Sequence, residues 1–366
     1  MTICLTVTND LTYDQRMIRI CSSLANAGHN VELTGRKLKS SLPLAPRSFQ
    51  QKRLTCFFEK GKLFYAEYNM RLFFYLLFKK ADCLCAIDLD TILPVLFCSK
   101  IKKIKRVYDA HELFCEMKEI VTRPKIYSVW KKIEEFSVPK FEYGYTVNRP
   151  IAREFKKMYG VDYAIIRSIA LKQEYEPINK TEEFILYQGA VNEGRSFETL
   201  IPAMQRVNAQ LVIVGDGNFY DQAKALVKEN ILDDKIIFKG KMEPGVLNNF
   251  TKEASIGITL FDDMGLSNYY SLANRFFDYI QAAIPQLCVN YPAYEEINNE
   301  FEVAVLIDDL SSANIAANLN RLLEDKDLYD RLQQNCLEAR EVYNWQNEEK
   351  KLIEFYKKLF EPGVST

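Results

Sequence analysis

The chain has 366 residues and an almost balanced charge, with 48 Lys and Arg against 49 Asp and Glu. A hydrophobic fraction of 48% excludes a disordered protein, and the length predicts two domains of about 100–200 residues each. No segment reaches the roughly 20 apolar residues of a membrane-spanning helix, and the first residues lack the basic start and cleavage region of a secretory signal. The composition points to no nucleic-acid partner.

Short apolar segments alternate with helical patterns along residues 1–168. The apolar segments, which predict strands, are ICLTVTN, NVELTGR, DCLCAID, KRVYDA and FEYGYTVN. The helical patterns are MIRICSSLANAG, LFYAEYNMRLFFYLLFKK and TILPVLFCSKIKK. Apolar strands that alternate with helices are typical of a parallel sheet covered on both faces.

The same plan returns in residues 183–345. The predicted strands are EFILYQG, AQLVIVG, KIIFKG, SIGITL, PQLCV and VAVLI, and the helices include FETLIPAMQRV, FYDQAKALVKEN and SLANRFFDYIQAAIP. Residues 169–182 have no clean period and predict a linker, and residues 346–366 contain a charged amphipathic helix. Residues 1–170 carry 29 basic and 17 acidic side chains, against 19 and 32 in residues 171–366. Two domains with different partners are therefore expected.

The nine cysteines are odd in number, and their spacing fits no zinc site. Cys83 and Cys85 are two residues apart in an apolar segment, so a strand would direct both to one face. We expect buried free thiols, no bound metal and a reducing, cytoplasmic environment.

Ligands of open parallel sheets bind beyond the carboxyl ends of the strands. In the second half these positions carry glycines and cations, namely Gly189, Arg195, Gly240 and Lys241. The helix SLANRFFDYIQAAIP adds a polar arc with Asn274, Arg275 and Asp278, opposite its apolar arc. Such cations bind a diphosphate, and a carboxylate accepts both hydroxyl hydrogens of a ribose diol. The alternative is a polar arc and loop cations that are only solvated.

In the first half, the strand KRVYDA is followed by His111 and Glu112. A histidine at a strand end is a candidate for polarising or positioning a reacting hydroxyl, and the alternative is a histidine that caps or packs. Asp88 and Asp90 end the strand DCLCAID in the same way. Here helix capping by Asp90 is predicted in preference to metal binding.

Three segments make the sequence similar to a known family: TNDLTYDQRMIRICSSLANAGH, RVYDAHELF, and the stretch from LYQGAVNEGRSFETL through SLANRFFDYIQAAIP. The sequence resembles glycosyltransferase family 4, the retaining, nucleotide-sugar-dependent transferases with the GT-B fold. The resemblance implies an α/β chain with two doubly wound Rossmann-like domains that face a central cleft. It also implies that the last helix returns to the first domain. Because Arg195 and Arg275 supply positive charge at the donor site, we expect that the reaction requires no metal.

The resemblance also assigns roles to the candidates. The second domain would bind a UDP-sugar or GDP-sugar through Gly189, Arg195, Gly240, Lys241, Asn274, Arg275 and Asp278. Among these, Arg195 and Arg275 would hold the diphosphate, and Asp278 the ribose. His111 would approach the transferred sugar, and the acceptor side would include Asp14, Arg16 and Glu112. The chain departs from the family pattern at five places. Asp278 replaces Glu, Tyr270 replaces a paired acid, Ala283 replaces Gly, Ala190 replaces a second cation, and TNDLTYD replaces a glycine-rich first loop.

The implied activity is transfer of a sugar to a hydroxyl of a glycan, a lipid-linked molecule or another acceptor, as in the synthesis of bacterial surface polysaccharides. Two alternatives are a nucleotide-sugar epimerase of the same fold and a non-catalytic nucleotide-sugar-binding scaffold. An epimerase needs several acids and bases around the sugar ring, and the chain offers no obvious cluster beyond His111 and Glu112.

A separate hypothesis concerns the membrane. The segment LFYAEYNMRLFFYLLFKK combines aromatic and aliphatic side chains with basic ends, and KIKKIKR places five cations in seven positions. An anionic bilayer attracts such a surface, so peripheral membrane association is one interpretation. The other is that residues 63–80 form an ordinary core helix.

Overall fold

The protein folds as two compact units, here described from a computed structural model. Unit 1 consists of Met1–Ser168 together with Trp345–Thr366, and unit 2 of Ile169–Asn344. The structure describes residues 1–12, 14–177 and 183–361. Residues 178–182 of the predicted linker lie outside the described residues.

Unit 1 contains a parallel sheet of seven strands in the order β3-β2-β1-β4-β5-β6-β7. The strands are β1 (Thr2–Thr6), β2 (Asn30–Lys37), β3 (Gln50–Thr55), β4 (Cys83–Ile87), β5 (Lys105–Ala110), β6 (Tyr143–Thr146) and β7 (Ala164–Ile165). The helices between them are α1 (Gln15–Asn26), α2 (Gly61–Phe78), α3 (Ile92–Lys102), α4 (Lys118–Val121), α5 (Pro124–Ser137) and α6 (Arg149–Tyr159). Because all strand pairs are parallel, all carboxyl ends lie at one edge of the sheet.

The core of unit 1 contains the thiols that the sequence predicts to be buried. Cys83 and Cys85 lie in one hydrophobic core with Ile3 and Leu5 of β1, so their common face is confirmed. All nine cysteines are free, and eight of them are buried. Burial, followed by the nearby charge of Glu32, raises the pKa of Cys4 to about 12, which keeps this thiol protonated and unreactive.

Unit 2 contains a parallel sheet of six strands in the order β10-β9-β8-β11-β12-β13. The strands are β8 (Phe184–Gln188), β9 (Gln210–Val214), β10 (Ile236–Gly240), β11 (Ile256–Thr259), β12 (Gln286–Val289) and β13 (Ala304–Ile307). The helices are α7 (Phe197–Ala203), α8 (Tyr220–Glu229), α9 (Pro244–Glu253), α10 (Leu266–Tyr269), α11 (Asn274–Gln281), α12 (Pro292–Glu300), α13 (Ser312–Glu324) and α14 (Lys326–Val342). All six strands predicted for this half are confirmed.

Helix α11 is shorter than the predicted helix SLANRFFDYIQAAIP. It ends at Gln281, and Ala283 just beyond it has a left-handed backbone with φ +54°. This conformation costs a residue with a Cβ roughly 1–2 kcal/mol, and glycine adopts it without that cost. The predicted apolar arc is confirmed by the buried side chains of Phe276, Phe277, Tyr279 and Ile280.

The last helix, α15 (Trp345–Phe360), belongs to unit 1. Leu352 and Tyr356 of this helix share a hydrophobic core with Met17 and Ile20 of α1. The indole N–H of Trp345 donates to Ser23 Oγ at 3.0 Å. Across the described ranges, every helix is too short or too polar to cross a bilayer.

Candidate active site

The sheet of unit 2 reverses its winding between β8 and β11. From β8 the chain crosses to β9 and β10 on one side, whereas β11 to β13 lie on the other side. The crevice between the carboxyl ends of β8 and β11 is therefore the expected ligand position in this sheet. Gly189 follows β8 directly, and Phe261 lies two residues beyond the end of β11.

Arg275 fills this crevice with a buried guanidinium. The residue is 7% exposed, and its guanidinium carbon lies 4.6 Å from the ring centroid of Tyr187 and 4.5 Å from that of Phe261. Its Nη1 atom lies 3.3 Å from the Tyr187 hydroxyl. A Cβ at position 189 would lie 3.2 Å from Nη1, so Gly189 leaves room for the cation.

The other donors of Arg275 lack partners. Nε and Nη2 are buried, and neither has a hydrogen-bond partner in the part of the chain that the structure describes. Burying a cation with unpaired donors is costly unless an anion binds it. A solvated polar arc, one of the two interpretations from the sequence, is therefore wrong for Arg275, because this side chain lies between two aromatic rings instead of in water.

Arg195 contacts the same aromatic ring. This residue lies in the loop between β8 and α7, and its guanidinium carbon is 4.3 Å from the ring centroid of Phe261. Its Nη1 atom lies 3.4 Å from Asn268 Oδ1. Phe261 is 3% exposed, so both cation–ring contacts are largely shielded from water. One aromatic ring thus holds two guanidinium groups at one crevice, an arrangement suited to a ligand with two negative charges.

Asp278 lies one turn after Arg275 on α11. Gln188 Nε2 donates to Asp278 Oδ2 at 2.9 Å, and Gln188 Oε1 accepts from Thr251 Oγ1 at 2.7 Å. Because the Asp278 carboxylate only accepts hydrogen bonds, it is the amide nitrogen of Gln188 that faces it. Asp278 also lines an open pocket together with Thr251, Lys252 and Gln281. Carboxylates accept several hydrogen bonds at once, which suits Asp278 to a pair of hydroxyl groups.

His111 is held by charged groups on both ring nitrogens in unit 1. Nδ1 lies 3.4 Å from Asp88 Oδ2, and Nε2 lies 3.2 Å from Asp109 Oδ2 and 2.8 Å from Arg16 Nε. Burial alone lowers the pKa of His111, but the two carboxylates outweigh it and raise the pKa to about 9. The Arg16 N–H that points at Nε2 opposes a second ring proton, and two negative charges against one positive leave the net shift upward.

Asp88 and Asp90 lie at the switch point of the unit 1 sheet, between β1 and β4. Asp88 has φ +54°, and its Oδ1 accepts from the backbone N–H of His111 at 2.9 Å. Asp90 accepts a hydrogen bond from the hydroxyl of Thr8, just beyond β1. Burial, together with the charge of Asp88, raises the pKa of Asp90 to about 7. The predicted helix capping by Asp90 is wrong, because its carboxylate turns toward β1 and caps neither the turn Leu89–Thr91 nor α3.

The sequence of unit 2 is similar to a known family. Residues 169–338 match the family model described as Glycosyl transferases group 1. Over these residues, unit 2 is similar to the group 1 glycosyltransferases. The chain is also 23% identical over 187 residues to an uncharacterized glycosyltransferase of Methanocaldococcus jannaschii. That match covers 49% of this chain and 46% of the archaeal protein, so it spans about half the length of that relative.

Solved structures extend the likeness of fold to both units. Sucrose-phosphate synthase from Thermosynechococcus elongatus has a TM-score of 0.82 at 15% identity, with 98% of this chain and 99% of that chain covered. A glycosyltransferase from Rickettsia africae has a TM-score of 0.76 at 12% identity, with 99% of each chain covered. Anabaena HepE in complex with UDP-glucose has a TM-score of 0.74 at 10% identity, with 98% and 100% covered. The predicted GT-B type of α/β fold, with two doubly wound units, is confirmed.

Within unit 2, the candidate residues fall into two groups. In the first group, Arg195 and Arg275 contact the Phe261 ring, and Gly189 adjoins the Arg275 guanidinium. Gln188 joins this group to Asp278, because its backbone carbonyl oxygen is 3.5 Å from Arg275 Nη1 and its side chain donates to Asp278. The other group is more open. Gly240 ends β10, Lys241 is exposed with Nζ 3.4 Å from Asp216 Oδ2, and Asn274 is exposed at the start of α11.

The three acceptor-side candidates occupy different positions in unit 1. Asp14 caps α1 by accepting from the backbone N–H of Met17 at 3.0 Å. Arg16 is 6% exposed and donates to Asp109 and to the Ile166 carbonyl as well as to His111, so it holds the histidine network together. Glu112 follows His111 and is half-buried.

The sequence did not identify three residues that organise these sites. Phe261 looks like a core residue because it follows an apolar strand, and Gln188 is hidden at the end of β8. Asp109 was detectable in principle, since an acid inside the apolar strand KRVYDA requires a partner when buried. In residues 1–12, 14–177 and 183–361, no three His, Cys, Asp or Glu side chains are grouped in a way that would hold a metal ion.

Proposed function

We propose that the chain transfers a sugar from a nucleoside-diphosphate sugar to an acceptor hydroxyl, with retention of anomeric configuration. The observation that carries this proposal is the buried guanidinium of Arg275, whose Nε and Nη2 lack partners in the described residues at the switch point of a unit similar to the group 1 glycosyltransferases. A diphosphate supplies the oxygens and the charge that these donors require.

Arg275 and Arg195 would bind the diphosphate of the donor. Negative charge grows on this group as the bond to the sugar breaks, so cations already in place stabilise the transition state more than the ground state. Both guanidinium groups are fixed against the Phe261 ring, so little reorganisation is needed during the reaction. This proposal requires no metal to neutralise the leaving group.

Asp278 would bind the ribose, oriented by Gln188. Between the two candidate bases, uracil is the first to test, because the HepE structure of the same fold contains UDP-glucose. Gly240 and Lys241 at the end of β10 would contact the base or the diphosphate.

His111 would contact the transferred sugar. Its raised pKa, about 9, suits the imidazole to stabilising negative charge and not to removing a proton near neutral pH. Asp88, Asp109 and Arg16 would act as positioning residues that fix the orientation of the ring. The acceptor would be a glycan, a lipid-linked molecule or another hydroxyl compound.

The test is a two-step assay on the full chain. Isothermal calorimetry with UDP, GDP and uridine should show that a diphosphate binds far more tightly than the nucleoside. Incubation with UDP-sugars and GDP-sugars plus pooled sugar acceptors should then release the nucleoside diphosphate, also in the presence of EDTA, and NMR should show the donor's anomeric configuration in the product. Absence of binding by both diphosphates at millimolar concentration would overturn the proposal. Interconverted donor sugars without release of diphosphate would assign an epimerase instead.

A further inference from the structure

Helix α2 of unit 1 has large apolar side chains on its solvent-facing side as well as on its buried side. Its buried side consists of Phe64, Tyr68, Leu72 and Leu76. The opposite side repeats every four residues as Ala66, Met70, Phe74 and Phe78, and the last three are 61%, 54% and 82% exposed. A surface helix of a globular protein normally carries charged residues at such positions. The interpretation of residues 63–80 as a core helix therefore accounts for only one side of α2.

The neighbouring helices extend this apolar surface. Phe97 and Ile101 of α3 and Phe136 of α5 are also exposed. Helix α3 lies against α2, since Cys98 Sγ is 3.3 Å from the carbonyl oxygen of Phe73. The rings of Phe97 and Phe136 are 6.3 Å apart, which joins α3 to α5. We define the exposed apolar face as Met70, Phe74, Phe78, Phe97, Ile101 and Phe136.

The size of this face is unusual for a surface without a partner. Taking about 200 Å² for each side chain, its exposed area is roughly 700 Å², which exceeds the largest patch of a typical monomer. Patches of this size that are bordered by polar residues mark sites of association. The side chains around the face indicate which kind of partner it fits.

Lysines border the exposed apolar face. Lys80, Lys100 and Lys103 are exposed at the end of α2 and along α3. These two helices contain a single acidic residue, Glu67, which is paired with Arg71 at 2.8 Å. On α5, Glu135 is exposed beside Phe136.

Lys102 has a different role from these lysines. Its ammonium donates to the carbonyls of Leu76 and Lys79, so it caps the end of α2 and is not a surface cation.

We propose that the exposed apolar face docks on the surface of an anionic lipid bilayer. Phe74 and Phe78 would enter the boundary between headgroups and acyl chains, and the lysines would lie near lipid phosphates. Charge favours a bilayer over a second copy of the chain, because a symmetric dimer through this face would place the lysines of one copy against those of the other. The proposal concerns unit 1 and does not depend on the reaction proposed for unit 2.

The test is co-sedimentation of the full chain with phosphatidylcholine vesicles that contain or lack phosphatidylglycerol. Binding is expected only to the anionic vesicles and should weaken as salt is raised. Lys80→Gln combined with Lys100→Gln should weaken binding about fivefold for each lysine, or on the order of 25-fold together. Phe74→Ser combined with Phe78→Ser should weaken binding at low and at high salt, because this contribution is not electrostatic.

Matched controls come from exposed residues of unit 2. Lys228→Gln combined with Lys326→Gln removes the same charge, and Ile231→Ser removes an apolar side chain that is 88% exposed. Both should bind vesicles as the parent does, and unchanged thermal unfolding checks the fold of each variant. Absence of binding to anionic vesicles at low salt would overturn the proposal. So would a lipid-free dimer that Phe74→Ser with Phe78→Ser dissociates, since this would assign the face to a second copy.

Discussion

Replacing Arg275 with Met tests whether its guanidinium contributes to ligand binding or to the stability of the fold. Methionine fills a similar volume between Tyr187 and Phe261 and removes the charge. The change relieves two buried unpaired donors, Nε and Nη2, which cost about 1–3 kcal/mol each. It also removes two cation–ring contacts of about 1–2 kcal/mol each, and hydrogen bonds to the Tyr187 hydroxyl and the Gln188 carbonyl of about 1 kcal/mol or less each. These opposing contributions nearly cancel, so the free energy of unfolding without ligand should change by less than about 2 kcal/mol.

The affinity for a diphosphate should change much more. Two hydrogen bonds from a charged donor contribute about 1.5–3 kcal/mol each, so their loss amounts to roughly 3 kcal/mol or more. Since 1.4 kcal/mol corresponds to a factor of ten, UDP or GDP should bind at least about 100-fold more weakly. Urea denaturation measures the first quantity, and isothermal calorimetry measures the second.

Two further variants sharpen this experiment. Arg331→Met removes a cation of unit 2 whose ion pair with Glu302 is half exposed, and it should leave the diphosphate affinity unchanged. Arg275→Lys keeps the charge but presents a single ammonium group, and its affinity should lie between those of the parent and Arg275→Met. The contrary result is that Arg275→Met loses several kcal/mol of stability but binds UDP and GDP as tightly as the parent. This result would show that Arg275 serves the fold and does not bind the diphosphate.

Two more predictions concern Phe261 and Asp90. Phe261→Leu removes the ring that both guanidinium groups contact, so diphosphate affinity should fall about tenfold by calorimetry, while Phe301→Leu, a partly buried ring elsewhere in unit 2, should leave it unchanged. Asp90 has a pKa of about 7 in the fold, above its ordinary value, so between about pH 4 and 7 the unfolded chain releases a proton that the fold retains. The free energy of unfolding therefore falls as pH rises from about 4 to 7. Asp90→Asn removes this loss, and its stability relative to the parent in urea should therefore increase over that range and stay constant above it. A difference that does not change with pH would contradict the raised pKa.

The strands could be predicted from sequence wherever they are buried. KRVYDA coincides with β5, Lys105–Ala110, because its apolar residues are enclosed on both faces of the sheet. The edge strand β3 was not predicted, since QQKRLT has no apolar alternation and none of its residues is fully buried. The helix at Asn274–Gln281 was predicted too long, because the sequence period continues past Gln281, whereas the backbone turns left-handed at Ala283.

The contacts of the candidate sites were less predictable, because they join distant parts of the chain. A helical period shows which way Arg275 points, but it does not reveal that Tyr187 and Phe261 enclose it. Asp90 was expected to cap the helix next to it, yet its hydrogen-bond donor is Thr8, 82 residues away. The local sequence predicts contacts between neighbours along the chain. Contacts such as Asp90 with Thr8 depend instead on which strands are adjacent in the sheet, and the local sequence does not reveal this order.

The two guanidinium groups on the Phe261 ring have a consequence for the end of the catalytic cycle. The diphosphate they would hold is the leaving group, so the same contacts persist after the sugar has gone. Release of the nucleoside diphosphate would then leave Arg275 with two unpaired buried donors again, and this cost opposes dissociation. Release of the nucleoside diphosphate should therefore limit the turnover rate, and accumulated UDP or GDP should inhibit the reaction strongly.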